Sequence, residues 1–590
     1  MNPEETAEKS RLNLDVLRPY LATRRGWFAL AALSIIVGVG LELWIPQILA
    51  DFIDEAFGDV PLSQLIRLAA IYIGAGIGAQ LMSIASRYVG TAIGWSIAND
   101  LRIDATRHVA SLDLDYHTHT SAGALIERVD GDIDAVAKMF SHFAVQVISG
   151  ILLLGGIFVL TFRENTLAGW TVVIFSAFVV LAMYLLRGFA VAATKAERGT
   201  SAELYGFIEE RLAAIEDIRA NGAGGHVMGT FQTVMRRYYT RSVSAWIKRS
   251  VIWTTSIGMF SLGTLLALAV GAYLVFQGEI TYGVAFLIIQ YMSKLEGPIE
   301  EITDQMQEVQ KAAAGLGRLR ELFGRQPTVS RVGTSALSTN PLEVEFDSVT
   351  FAYDSEPVLD DVSFRIAPGT HIGLLGRTGS GKSTITKLIA RFYDASSGTV
   401  LLDGRPISDV EEWSLRARVA MITQDVQLFE GSVRDNVAMF VHERDDTLIE
   451  NALNEIGLGQ WLASLPDGID THLDTAGKGL SSGEAQLVAL ARAYLLDPGL
   501  VILDEPSSRV DPATEIVLSA ALDRLIEGRT AIIIAHRLAT VAHVDEIMVL
   551  EHGRVVEHGD RRELAASPDS LFAHLLETAK DGLIRDEVVL

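Results

Sequence analysis

Gly376-Arg377-Thr378-Gly379-Ser380-Gly381-Lys382-Ser383 fits the spacing G-x-x-x-x-G-K-[ST], and Thr384 follows it. An apolar run at 372–375 precedes the motif and a helical pattern follows it, so the glycines fall where a strand turns into a helix. In that setting successive backbone N–H groups can wrap phosphate oxygens at a helix N-terminus. Lys382 adds a cation for the β- and γ-phosphates, and the Ser383 hydroxyl suits Mg²⁺. Around the loop, short β-like runs at 344–346, 371–375, 400–402, 420–423, 500–503 and 531–535 alternate with helical stretches. This pattern predicts an α/β nucleotide-binding domain over 342–580, with a tail at 581–590.

The other half of the chain has a different solvent. Of 590 residues 49% are hydrophobic and only 21% charged, a balance that puts part of the chain in lipid. Apolar runs at 27–49, 68–86, 140–162, 166–186 and 251–277 each approach or exceed the ~20 residues that cross a bilayer as helix. A sixth run, 280–293, has 14 residues and by length alone suits a buried core helix. Parity favours counting it. Arg24 and Arg25 before the first run favour a cytoplasmic N-terminus, and six spans return the phosphate loop to the side that holds ATP. The segments 94–138 and 188–250 carry four and nine Lys or Arg, whereas 50–66 carries none and has four acids. Expected, then, are a cytoplasmic segment 1–26, a six-span all-α membrane domain over 27–325 with two long cytoplasmic excursions, and a Ser/Thr/Gly/Pro-rich linker at 326–341. The 26 largely polar leading residues do not read as a signal peptide.

The net charge of −24 argues against nucleic acid as a partner, and the absence of cysteine excludes disulfides, thiolate metal sites and cysteine nucleophiles. Downstream of the phosphate loop, the apolar run 500–503 ends in Asp504-Glu505, suited to hold Mg²⁺ through Asp504 and to polarise a water through Glu505.

With these residues in view, the chain resembles the ATP-binding cassette family over nearly its whole length. Leu480-Ser481-Ser482-Gly483-Glu484-Ala485-Gln486 looks like the family's LSGGQ signature. The resemblance implies that Tyr353 stacks on adenine and that Gln424 senses Mg²⁺ and couples to the membrane part. It likewise implies that Asp511 is the D-loop aspartate and His536 the switch histidine at the γ-phosphate. ATP and Mg²⁺ are the implied cofactors. The resemblance further implies that two such domains sandwich two ATPs, each phosphate loop facing the other's signature, and that a chain with one cassette needs a second half-transporter. In the membrane part, Ile53-Asp54, Gly123, Asp132, Gly278 to Gly283 and Pro298 resemble the exporter type.

The signature departs from the family pattern. Ser482 stands for glycine, Glu484 for glutamine, and Ala485 and Leu487 for arginines, while Ser481 and Gly483 remain. Residues 474–477 replace a glutamate that usually touches the partner's excursion. An intact Glu505 beside an altered signature resembles one subunit of a heterodimeric exporter; a homodimer is the alternative. Glu42 is the only acid in a confident span, and it reads either as a ligand for cationic groups or as a wetted interfacial residue. The reading as a whole is ATP-driven export of an amphipathic small molecule, lipid or peptide across the plasma membrane. An importer on the same fold and an ATP-gated channel are the alternatives.

Overall fold

The computed structural model describes residues 14–580 except 59, 187, 330–332, 354–355, 442, 474–479, 505–511 and 536–540. Two units emerge: the described residues of Met1–Ala110 with Ser121–Arg325, and those of Ser111–Thr120 with Gln326–Leu590.

The first unit is all helix. Its long elements are α1 (Arg25–Ala56), α2 (Leu62–Ser111), α3 (Ala144–Glu164), α4 (Thr166–Leu186), α5 (Gly188–Ala213), α6 (Gly224–Phe276), α7 (Tyr282–Ser293) and α8 (Glu296–Gly324). Among the described residues, five helical stretches are long and apolar enough to cross a bilayer: Arg25–Ala56, Leu62–Ser111, Ala122–Glu164, Thr166–Ala213 and Gly224–Phe276. The 53 residues of α6 make a rod of about 80 Å against roughly 30 Å of hydrocarbon, so these helices run far past the membrane. The sixth apolar run forms α7, 12 residues capped at Lys294 and too short to span at about 18 Å by itself. The chain turns helical again within two residues, with Pro298 in the first turn of α8, where proline costs nothing. In α7, Leu287, Ile288, Tyr291 and Met292 are buried in the unit's core.

Two carboxylates hold the α7–α8 run at opposite ends. Asp54, near the end of α1, accepts hydrogen bonds from Thr281 Oγ1 at 2.5 Å and the Gly283 N–H at 2.6 Å. A side chain at Gly283 would overlap the Ala50 carbonyl oxygen, so only glycine allows this approach. At the far end, buried Asp132 accepts from Arg318 Nε at 2.8 Å. Asp132 closes a π-helical turn, Glu127–Asp132, in the first excursion. The exporter-type residues Asp54, Gly283 and Asp132 are thus points where helices distant in sequence lock together.

Among the described residues the second unit contains two large sheets and a two-residue antiparallel pairing of Gly431–Ser432 with His472–Leu473. The strands of the two large sheets are β1 (Val344–Tyr353), β2 (Glu356–Ile366), β3 (His371–Gly376), β4 (Ser397–Leu402), β5 (Arg405–Pro406), β6 (Val419–Ile422), β7 (Leu500–Asp504), β8 (Thr530–Ile534), β9 (Glu546–Glu551) and β10 (Arg554–Asp560). One sheet runs β2-β1-β4-β5 and is antiparallel; the other runs β10-β9-β3-β8-β7-β6 and is parallel except at β10. The central strands bury both faces by strict alternation. Ile372, Leu374, Leu500, Ile502, Ile532 and Ile534 enter one core; Leu375, Val501, Leu503, Ala531 and Ile533 enter the other. The described part of 326–341 is pinned to this unit: Arg418 donates to the Ser338 and Thr339 carbonyls at 2.9 and 2.6 Å.

Candidate nucleotide-binding site

β3 ends at Gly376, and after five loop residues α9 (Lys382–Ile389) begins. Gly379 and Gly381 adopt φ of +84° and +108°, conformations that a side chain would strain. A side chain at Gly376 would overlap the Leu550 carbonyl oxygen. The loop is therefore a tight backbone cradle that only this glycine spacing can form. Gly381 caps α9 with no side-chain hydrogen bond, and the first N–H groups of the helix, at Lys382 and Ser383, precede its first intrahelical bonds and point out of the helix end. Lys382 is buried, with Nζ donating to the carbonyls of Gly376 and Arg377, the latter at 3.0 Å. Ser380 Oγ is buried with no hydrogen-bond partner among the described residues. An orphaned hydroxyl inside a cradle of outward N–H groups, beside an ammonium, fits a phosphate chain.

Asp504 ends β7 and Gln424 lies two residues beyond β6. In the order β3-β8-β7-β6 both leave the same carboxyl edge as the phosphate loop, with Asp504 about 10 Å along the sheet at the usual strand spacing. This is the edge at which open α/β sheets take ligands. Tyr353, at the end of β1, places its hydroxyl 3.4 Å from Thr384 Oγ1, with the Lys387 ammonium 5.6 Å over its ring. Tyr393 meets that ring edge-on at 5.2 Å. Glu505, Asp511, His536 and the stretch 474–477 lie outside the described residues. The strands that lead to Glu505 and His536, β7 and β8, are adjacent and parallel, with Asp504 opposite Ile534.

The signature helix α10 (Ser482–Leu496) starts differently from α9. Ser481 is its N-cap in a reciprocal capping box: its Oγ accepts from the Glu484 N–H at 3.2 Å. The Ser481 N–H and hydroxyl both donate to Glu484 Oε2, at 2.7 and 3.0 Å. Gly483 is buried just inside.

Two features escaped the sequence. Arg492 on α10 donates to the Asn436 and Gln427 carbonyls at 2.6 and 2.9 Å and to Asn436 Oδ1 at 3.0 Å, clamping the segment after Gln424 onto the signature helix. Burial holds its guanidinium below the usual arginine range. An arginine six residues past a signature carries no motif of its own. Ser111–Thr120, from the first excursion, also belongs to the cassette unit: Asp113 accepts from Thr328 Oγ1 at 2.7 Å. Burial pushes the Tyr393 phenol up, while a Thr118 hydroxyl hydrogen bond pulls the other way. The excursion therefore touches the tyrosine that packs on Tyr353.

A parallel sheet with a glycine-lined phosphate cradle, on a chain with five bilayer-length apolar helices, defines an ATP-hydrolysing membrane transporter. Comparison with known proteins makes this particular. The ABC transporter family model matches residues 359–508, and the ABC transporter transmembrane region matches 27–299. A probable multidrug resistance ABC transporter ATP-binding/permease protein of Bacillus subtilis is 31% identical over 80% of this chain and 70% of its own length. An ATP-dependent lipid A-core flippase of Burkholderia orbicola is 29% identical over 95% of this chain and 94% of its own. An uncharacterized ABC transporter ATP-binding protein of Bacillus subtilis is 29% identical over 98% and 95%. The chain belongs to the ABC transporter family as an exporter-type half-transporter, a multi-pass membrane protein that binds and hydrolyses ATP.

Proposed function

We propose that this chain is one half of a dimeric exporter that moves an amphipathic small molecule, lipid or peptide across the plasma membrane by alternating access. The names of the relatives, multidrug resistance protein and lipid A-core flippase, support cargo of this class. In this reading residues 27–325 form the membrane domain, with α7 and α8 together as the sixth span, and 342–580 form the cassette. The N-terminus and cassette are cytoplasmic, consistent with the Lys and Arg of the long excursions.

Tyr353 stacks on adenine. The backbone of 376–384 and Lys382 hold the phosphates, and Ser383, Gln424 and Asp504 are the ligands for Mg²⁺. That cation, when bound, neutralises charge on the phosphate oxygens. Glu505 orients the attacking water, His536 contacts the γ-phosphate, and Asp511 lies toward the partner cassette. Ser481 and Gly483 are offered to the partner's nucleotide. The partner is a second, different half-transporter, because an intact Glu505 and a self-capped, acidic signature make one strong site and one weak one.

The observation that carries the reading is the open phosphate cradle with its orphaned Ser380 hydroxyl. Inside-out vesicles holding this chain with its partner are expected to accumulate a fluorescent amphiphile when given ATP, and Lys382→Ala vesicles are not. Accumulation that needs neither ATP nor Lys382 contradicts it.

A further inference from the structure

Gln424 stands on a short bridge between two parts of the cassette. Behind it, Ile422 ends β6 and pairs with Leu503 in the parallel sheet. Ahead of it, the Gln427 carbonyl accepts from Arg492 Nη1 at 2.9 Å, and Arg492 lies on α10, the helix that Ser481 caps. Only the four residues 423–426 remain between these anchors. The three residues from Gln424 to Gln427 reach at most about 11 Å, so a displacement at Gln427 is passed on to Gln424.

The far anchor is built as one piece. Asn436 is fully buried, and its Oδ1 accepts from the Phe429 N–H at 2.9 Å and from Arg492 Nη2 at 3.0 Å. Its Nδ2 donates to the Phe429 and Ser432 carbonyls at 2.8 and 3.1 Å. Arg492 Nε adds a bond to the Asn436 carbonyl at 2.6 Å, and the guanidinium lies 5.8 Å over the Phe429 ring. Among the described residues no carboxylate pairs with this half-buried cation, and desolvation alone moves its pKa. A cation held only by neutral oxygens is a poor source of stability. What its planar fork supplies is geometry, because three oxygens are fixed at once.

We infer that Arg492 is a positioning residue for ATP hydrolysis, a role that rests on the reading of Gln424 as a Mg²⁺ ligand. Through Gln427 it ties the bridge to α10, so the reach of the Gln424 amide toward the metal follows the orientation of the signature helix. Gln424 serves this chain's own nucleotide and Ser481 the partner's, and the two then turn as one body.

The test uses the complex with the partner half-transporter in lipid nanodiscs at saturating ATP. It reads the free Mg²⁺ concentration that half-activates ATPase, and the unfolding midpoint with ATP plus Mg²⁺ and with ATP plus EDTA. Arg492→Lys keeps the charge and loses the fork. It is expected to raise the half-activating Mg²⁺ about fivefold and to shrink the stabilisation that Mg²⁺ adds, while the stabilisation by ATP with EDTA holds. Gln424→Ala is expected to raise the Mg²⁺ requirement at least as far. Adding Arg492→Lys to Gln424→Ala is expected to raise it no further, because residues acting through one contact are not additive. A lowered maximal rate with an unchanged Mg²⁺ requirement in Arg492→Lys means a merely structural arginine and overturns the proposal, as does an additive rise in the double variant. A normal Mg²⁺ requirement in Gln424→Ala instead fails the reading of Gln424 as a ligand, and the proposal falls with it. If Arg492→Lys does not assemble with the partner, Phe429→Leu at an exposed position decides. Loss of the ring beneath the guanidinium is expected to raise the requirement about twofold, and no change overturns the proposal.

Discussion

Two helices of the cassette begin in opposite ways. At α9 the N-cap is Gly381, in a left-handed conformation with no side chain to accept from the first turn. At α10 the N-cap is Ser481, and both its N–H and its hydroxyl donate to the Glu484 carboxylate. Both ends carry the partial positive charge of a helix N-terminus. One presents it to an incoming anion; the other has already supplied an anion of its own. A serine cap with its box is worth about 1 kcal/mol to the helix, so α10 gains local stability from the arrangement that makes it a poorer phosphate ligand. α9 forgoes that cap and relies on burial of Ile385, Leu388 and Ile389. The comparison teaches that a helix start can be built for stability or for a ligand, and this chain contains one of each.

The largest effect that would break this contrast lies on the phosphate-loop side. Glu505→Gln is expected to leave ATP binding intact and to cut hydrolysis at least ~100-fold, since a positioned base or water-orienting group usually supplies 10²–10⁴. Near-normal turnover of the purified complex would remove Glu505 from that role. A smaller effect concerns the base. Tyr353→Ala is expected to weaken nucleotide affinity by about 1–3 kcal/mol, equally for ATP and GTP, because stacking tolerates any base. Titration with a fluorescent nucleotide reads this, and equal affinity rejects it. The smallest effect sharpens the comparison at α10. Glu484→Gln keeps a side chain that can close the box but removes its charge, and the field of one charge at a helix end is worth about 0.3–1 kcal/mol. Nucleotide affinity at the weak site, read by titration of the complex with a fluorescent nucleotide, is expected to tighten about two- to fivefold. Weaker binding in the variant would show that the carboxylate helps nucleotide binding.

Local chemistry decided how much was legible beforehand. The phosphate loop, β3, β6, β7 and β8 follow from continuous apolar runs, two of which, β3 and β7, end in glycine or acids, because a strand buried on both faces leaves a continuous hydrophobic signature. β2 and β10 left no such signal. In Glu356–Ile366 and Arg554–Asp560 exposed polar residues interrupt the apolar ones, as edge strands allow. The sixth run was legible as apolar, but not as a helix that stops at Lys294 and restarts with Pro298 in its first turn. Asp54, Gly283 and Asp132 were visible only as exporter-type residues; their pairing with Thr281 and Arg318 spans 227 and 186 residues of chain. Nothing local encodes such contacts. Glu484 could be seen as a stray charge, whereas its grip on Ser481 needed the helix to be in place.

The most direct test sets Glu505→Gln beside Ser481→Arg, each made in this chain alone and measured as steady-state ATPase of the complex with its partner. In a heterodimer Glu505 sits in the strong site, while Ser481 faces the partner's nucleotide in the weak one. Near-complete loss is therefore expected for Glu505→Gln and substantial retained turnover for Ser481→Arg. Comparable, near-complete loss in both, together with an active dimer formed by this chain purified on its own, would contradict it.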